Sequence, residues 1–63
     1  MDKVLETILK ETRDRKAFVS EELTRGTVSD FAAYQKLCGE IRGYSLIEDY
    51  ILDLAKHMES ADE

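Results

Sequence analysis

From Tyr34 to Met58, apolar residues return at alternating steps of three and four: Tyr34, Leu37, Ile41, Tyr44, Ile51, Ala55 and Met58, with Glu48 the one polar member. A 3.5-residue period belongs to a helix that lays one seam against another helix. The spacing predicts a helix over about 29–58. At 1.5 Å per residue it would be ~43 Å long. A rod of that length in a 63-residue chain cannot close into a ball on its own.

The segment before it also reads as a helix, over about 2–25. Leu, Glu, Lys, Arg and Ala dominate it, and these residues favour helix. Val4, Leu5, Ile8, Leu9, Val19 and Leu23 fall on one side of a 100°-per-residue wheel. Asp2 can cap its start. Arg25 suits its C-terminus, and Gly26 suits the residue just beyond, where a positive φ is wanted. Residues 26–29 form the turn. Thr27 or Ser29 can cap the second helix, and Thr27-x-x-Asp30 is a shortened capping box. Residues 59–63, Glu-Ser-Ala-Asp-Glu, read as a frayed acidic tail.

A single short break makes the two helices antiparallel neighbours. The expected fold is an all-α, two-helix antiparallel hairpin with a long second helix, one domain over 1–63. With the hairpin centred near Thr27 and Val28, Val19 would meet Leu37, Ile8 would meet Ile47, and Leu5 would meet Tyr50 or Ile51. Thr12 to Lys16 hold no aliphatic residue, so this seam is expected to be weak at its centre.

Composition closes off several alternatives. The chain has no Pro, three Gly and one Cys, which is too little punctuation for a many-turned β protein and too few cysteines for a disulfide framework or a multi-Cys zinc module. A reducing compartment is the expectation. No stretch reads as a membrane span, a signal peptide or a transit peptide. Residues 1–28 balance six basic against six acidic side chains, so the net charge of −5 sits in the second half. Such a chain lacks the basic field that nucleic-acid binding needs.

The second helix carries more apolar surface than one neighbour can cover. Beside its seam lie Phe31, Ala32, Cys38, Gly39, Gly43, Leu46, Ile47, Tyr50 and Leu54. Gly39, Gly43, Leu46 and Tyr50 project away from Ile41. Each Gly in a helix interior costs about 1 kcal/mol relative to Ala. Two of them one turn apart point to close approach by another helix, the alternative being a kink near Gly43. A hairpin of this size buries too little to outweigh its chain entropy unaided. It is therefore expected to oligomerise, for instance as a four-helix dimer of hairpins, or to dock on a partner. The interface residues expected are Leu37, Gly39, Ile41, Gly43, Tyr44, Leu46, Tyr50 and Ile51.

Chemistry finds little footing. Asp49, Asp53 and His57 share a face at i, i+4 and i+8, but they fall short of a full metal ligand set. Cys38 and His57 lie ~28 Å apart along one helix, too far to act together. The basic run Thr12-Arg13-Asp14-Arg15-Lys16 reads as surface pairing such as Glu11 with Arg15, or as the place where Arg15 meets Glu48 inside an oligomer. No catalytic residue, cofactor, metal or small-molecule substrate is expected.

The run Tyr34-Gln35-Lys36-Leu37-Cys38-Gly39-Glu40-Ile41-Arg42-Gly43-Tyr44-Ser45-Leu46, with Gly26 and Asp30-Phe31 upstream, resembles small helical-hairpin proteins of tailed bacteriophages. The resemblance spans about residues 18–55. It implies a small viral helical protein associated with the virion. The functional expectation is a non-enzymatic structural or assembly protein, a small phage virion component that binds itself or a larger virion protein through an apolar helical face. It would reside in the virion or the host cytoplasm. The alternative is an acidic phage regulator that binds and inhibits a host protein.

Overall fold

The computed structural model describes residues 1–61. It holds two helices, α1 (Lys3–Thr24) and α2 (Phe31–Ala61), packed against each other as an antiparallel hairpin. Among the described residues there is no strand.

Local chemistry explains each boundary. The Asp2 carboxylate accepts from the Val4 and Leu5 amides at 2.8 and 3.2 Å, which satisfies two donors that the first turn leaves free. At the other end the Arg25 amide donates to the Glu21 carbonyl at 3.0 Å, and Gly26 turns the chain with φ +74°. The cap of α2 is neither Thr27 nor Ser29. Asp30 takes that place, its carboxylate accepting from the Ala33 amide at 2.8 Å, so α2 starts at Phe31 rather than near 29. Residues 27–29 are thereby left to the connection, and Val28 is half-buried there.

The expected acidic tail is likewise shorter than its sequence implies. Glu59, Ser60 and Ala61 continue α2, because no Gly or Pro lies between Gly43 and Ala61 to stop the helix. Asp62 and Glu63 lie outside the described residues. Gly39 and Gly43 also leave α2 unbroken, so the helix runs 31 residues without interruption.

The seam follows a heptad on both helices. On α1 its members are Leu5, Leu9, Thr12, Lys16, Val19 and Leu23; on α2 they are Leu37, Ile41, Tyr44, Glu48, Ile51 and Ala55. Leu5, Leu9, Ile51 and Ala55 form one buried cluster. Arg13 meets Glu48, and the Met1 nitrogen lies 4.0 Å from Glu59. These pairs shift the alignment by about five residues, more than one helical turn, from a hairpin centred on Thr27 and Val28. Val19 is thereby level with Ile41, and Leu23 with Leu37. Ile8 and Ile47 both turn outward instead of meeting. The shift arises because the connection folds back and lets the first turn of α2, with Phe31 and Tyr34, project past the end of α1. The two rings stack there at 6.2 Å.

The result is a rod of 51 × 16 × 12 Å with a radius of gyration of 14.9 Å. A compact chain of this length would have a radius of about 11 Å. Its accessible surface is 5044 Å², whereas a typical folded monomer of its mass exposes about 4,100 Å². Among the described residues no side chain is completely withdrawn from water.

Candidate docking face

The structure divides the eight expected interface residues into two groups. Leu37, Ile41 and Tyr44 are half-buried and Ile51 is only 4% exposed; all four belong to the seam with α1. Gly39, Leu46 and Tyr50 are exposed and Gly43 is partly so, on the opposite side of α2. Leu46 retains 64% and Tyr50 69% of its accessible surface. The first group is used inside the hairpin, and the second remains available to another molecule.

Residue spacing sets the shape of this outer face. Gly39, Gly43, Leu46 and Tyr50 step by four, three and four, a second stripe parallel to the first. Ile47 and Leu54 widen it toward α1, and both are exposed. A Cβ added at Gly39 or Gly43 would meet nothing within 4 Å, so no contact inside the chain calls for glycine at either position.

The contact between Arg13 and Glu48 identifies which flank of α1 lies beside which flank of α2. Val4 and Ile8 are rotated to the other flank of α1, as Ile47 and Leu54 are on α2. Val4 and Ile8 were expected on the buried side and are exposed instead, because Leu5, Leu9 and Thr12 occupy the seam. These four aliphatic residues therefore share one side of the hairpin with Gly43 and Tyr50. This composite face was hidden from the sequence, since it depends on the alignment of the two helices. The exposed partners at i and i+4 on α1, Val4 and Ile8, were its only local sign.

The middle of the seam, and the flank beside it that carries Arg13, are polar. Thr12, 7% exposed, satisfies its hydroxyl by donating to the Ile8 carbonyl at 2.7 Å. Beside it the Glu48 side chain is 15% exposed, with Arg13 Nε donating to Oε2 at 3.3 Å and Lys16 Nζ at 3.0 Å from Oε1. Lys16 approaches Oε1 as an ion pair without good hydrogen-bond geometry. The Lys16 ammonium, and after it Arg13, hold the Glu48 carboxyl below its ordinary value, against partial burial that pushes it up. Glu48 thus has its partners within the chain. Arg15 is not among them. It bonds Glu11 at 3.0 Å, and this bond chiefly holds its guanidinium pKa above the ordinary value. With Lys10 on Asp14 at 2.7 Å, every cation from Lys10 to Lys16 faces a carboxylate.

His57 Nδ1 lies 2.9 Å from the Asp53 carbonyl oxygen and 3.7 Å from its carboxylate. Among the described residues no group of three His, Cys, Asp or Glu is placed to hold a metal ion. Cys38 is a half-buried free thiol. No described helix is long and apolar enough to cross a membrane. No family model, curated protein or solved structure matches this chain.

Proposed function

We propose that this chain is a non-enzymatic assembly module that works by being held against another protein through the outer face of α2. The observation that carries the reading is the stripe of exposed Gly39, Leu46, Ile47, Tyr50 and Leu54, with Gly43 partly exposed among them, on a rod too thin to cover it. An apolar patch of this kind, bordered by charge, is a protein-docking surface. Tyr50 is suited to anchor it, offering a large ring at small entropic cost. The setting proposed is the particle of a tailed bacteriophage, on the strength of the resemblance over Tyr34 to Leu46.

A photo-crosslinking amino acid placed at position 50, and separately at position 10 on the polar flank, tests this in cells or particles that contain the protein. The expected result is a protein adduct from position 50 and none from position 10. No adduct at 50, or equal adducts at both, would overturn the docking face. An adduct recovered only with a soluble host protein would replace the virion setting with a regulatory one.

A further inference from the structure

We propose that the occupant of this face is a second copy of the chain, joined by an antiparallel α2–α2 contact whose two-fold axis passes beside Leu46. The proposal rests on the docking reading and names its partner. Three observations support it.

The first is area. The chain exposes about 900 Å² more than a compact monomer of its mass. A standard interface removes about 800 Å² per partner. One such contact on each chain would bring the surface to the ordinary value.

The second is shape. Two antiparallel copies with the axis beside Leu46 pair residues whose numbers add to about 91. Leu46 then meets Leu46 of the other copy. Tyr50 lies level with the stretch between Gly39 and Gly43 of the other copy, and the reverse holds by symmetry. The space above those glycines is open in the single chain, so each ring has a seat there. One contact thereby explains both the bulky ring and the two glycines.

The third is charge. The same alignment sets Arg42 level with Asp49 of the other copy, twice over, along one edge of the Leu46 contact. Neither residue makes an ion pair among the described residues, although the cations from Lys10 to Lys16 are all paired. A parallel pairing would place Tyr50 against Tyr50 and each glycine against its counterpart, away from the rings, and would put the two copies' Arg42 and Asp49 on opposite edges of the contact, where no Arg42–Asp49 pair forms. Facing rings and the loss of these opposite-charge pairs disfavour it. The antiparallel sense also separates the two acidic C-terminal halves, which matters for a chain of net charge −5.

The test is native mass measurement on the purified chain at tens of micromolar, with charge-swap variants. Wild type is expected at twice the chain mass. Arg42→Asp or Asp49→Arg alone should raise the dissociation constant on the order of tenfold or more, by setting like charges together. The double variant Arg42→Asp/Asp49→Arg should recover most of the affinity. Leu46→Cys in a Cys38→Ser background should form a disulfide-linked pair under mild oxidation, whereas Glu6→Cys in the same background should not. A wild-type monomer at ~100 μM, or a swap that fails to restore the pair, would overturn the proposal. If a position-50 adduct then forms with a different protein, the docking face stands and only its occupant is wrong. If no adduct forms at all, both fail.

Discussion

At the end of the hairpin where residues 1–9 lie, Leu5, Leu9, Ile51 and Ala55 pack into a buried cluster; at the loop end, Leu23, Val28, Leu37 and Ile41 are only half-buried, although Val19 nearby is well covered. The two ends solve the same problem by different means. The loop end is closed by the chain itself. A short connection makes closure entropically mild, and Gly26 and Asp30 fix its geometry. The far end has no covalent link, so side-chain packing, with the Met1–Glu59 ion pair at its edge, keeps the helices from fraying apart. The lesson is that tight packing appears where connectivity gives least help.

Breaking the tighter end should have the largest effect. Ile51→Ala should cost about 2–5 kcal/mol, comparable to the whole stability of a domain this small. Thermal melts followed by circular dichroism should show a lost or non-cooperative transition. Leu37→Ala, at the half-buried end, should cost only about 1 kcal/mol. Equal losses for the two would erase the contrast between the ends. Next come the devices that close the loop. Gly26→Ala forces a side chain into the left-handed region at about 1–2 kcal/mol. Asp30→Ala removes the α2 cap at about 1 kcal/mol. Hydrogen exchange should then rise around residues 23–37 before it rises around Leu9 and Ile51.

The smallest effect is expected from the polar layer between the two ends. Because the folded Glu48 carboxyl titrates below its ordinary value of 4.5, its contribution is complete above that pH. It is lost as pH falls through the lowered folded value. The difference in melting temperature between wild type and Glu48→Gln should therefore hold steady above about pH 5 and shrink below pH 4.5. A constant difference down to pH 3 would mean that the pair with Lys16 and Arg13 does not act on stability.

Much of this architecture is legible in the chain itself. The heptad from Leu37 to Ala55 and the lone Gly26 between two helix-forming stretches specify a helical hairpin, because period and punctuation are local properties. The alignment of the helices is not local. It turned on Asp30, rather than Thr27 or Ser29, capping α2, and on how far the connection folds back. That choice moved every facing pair by more than a turn. It also sent Val4 and Ile8 outward and gave Glu48 to Arg13 and Lys16 instead of Arg15. The outer stripe of Gly39, Gly43, Leu46 and Tyr50 was readable because it lies on one helix. Its continuation onto α1 was not, since that requires two helices side by side.

Thr12, Lys16 and Glu48 interrupt an otherwise apolar seam at its midpoint. A purely aliphatic heptad lets one helix slide past the other by seven residues and find nearly equivalent holes. Here such a slip would leave the Glu48 carboxylate level with Leu5 or with Val19, stripped of its cations among apolar neighbours. The interruption thus works as a detent: the hairpin can loosen at either end, but it has a single position in which to close again.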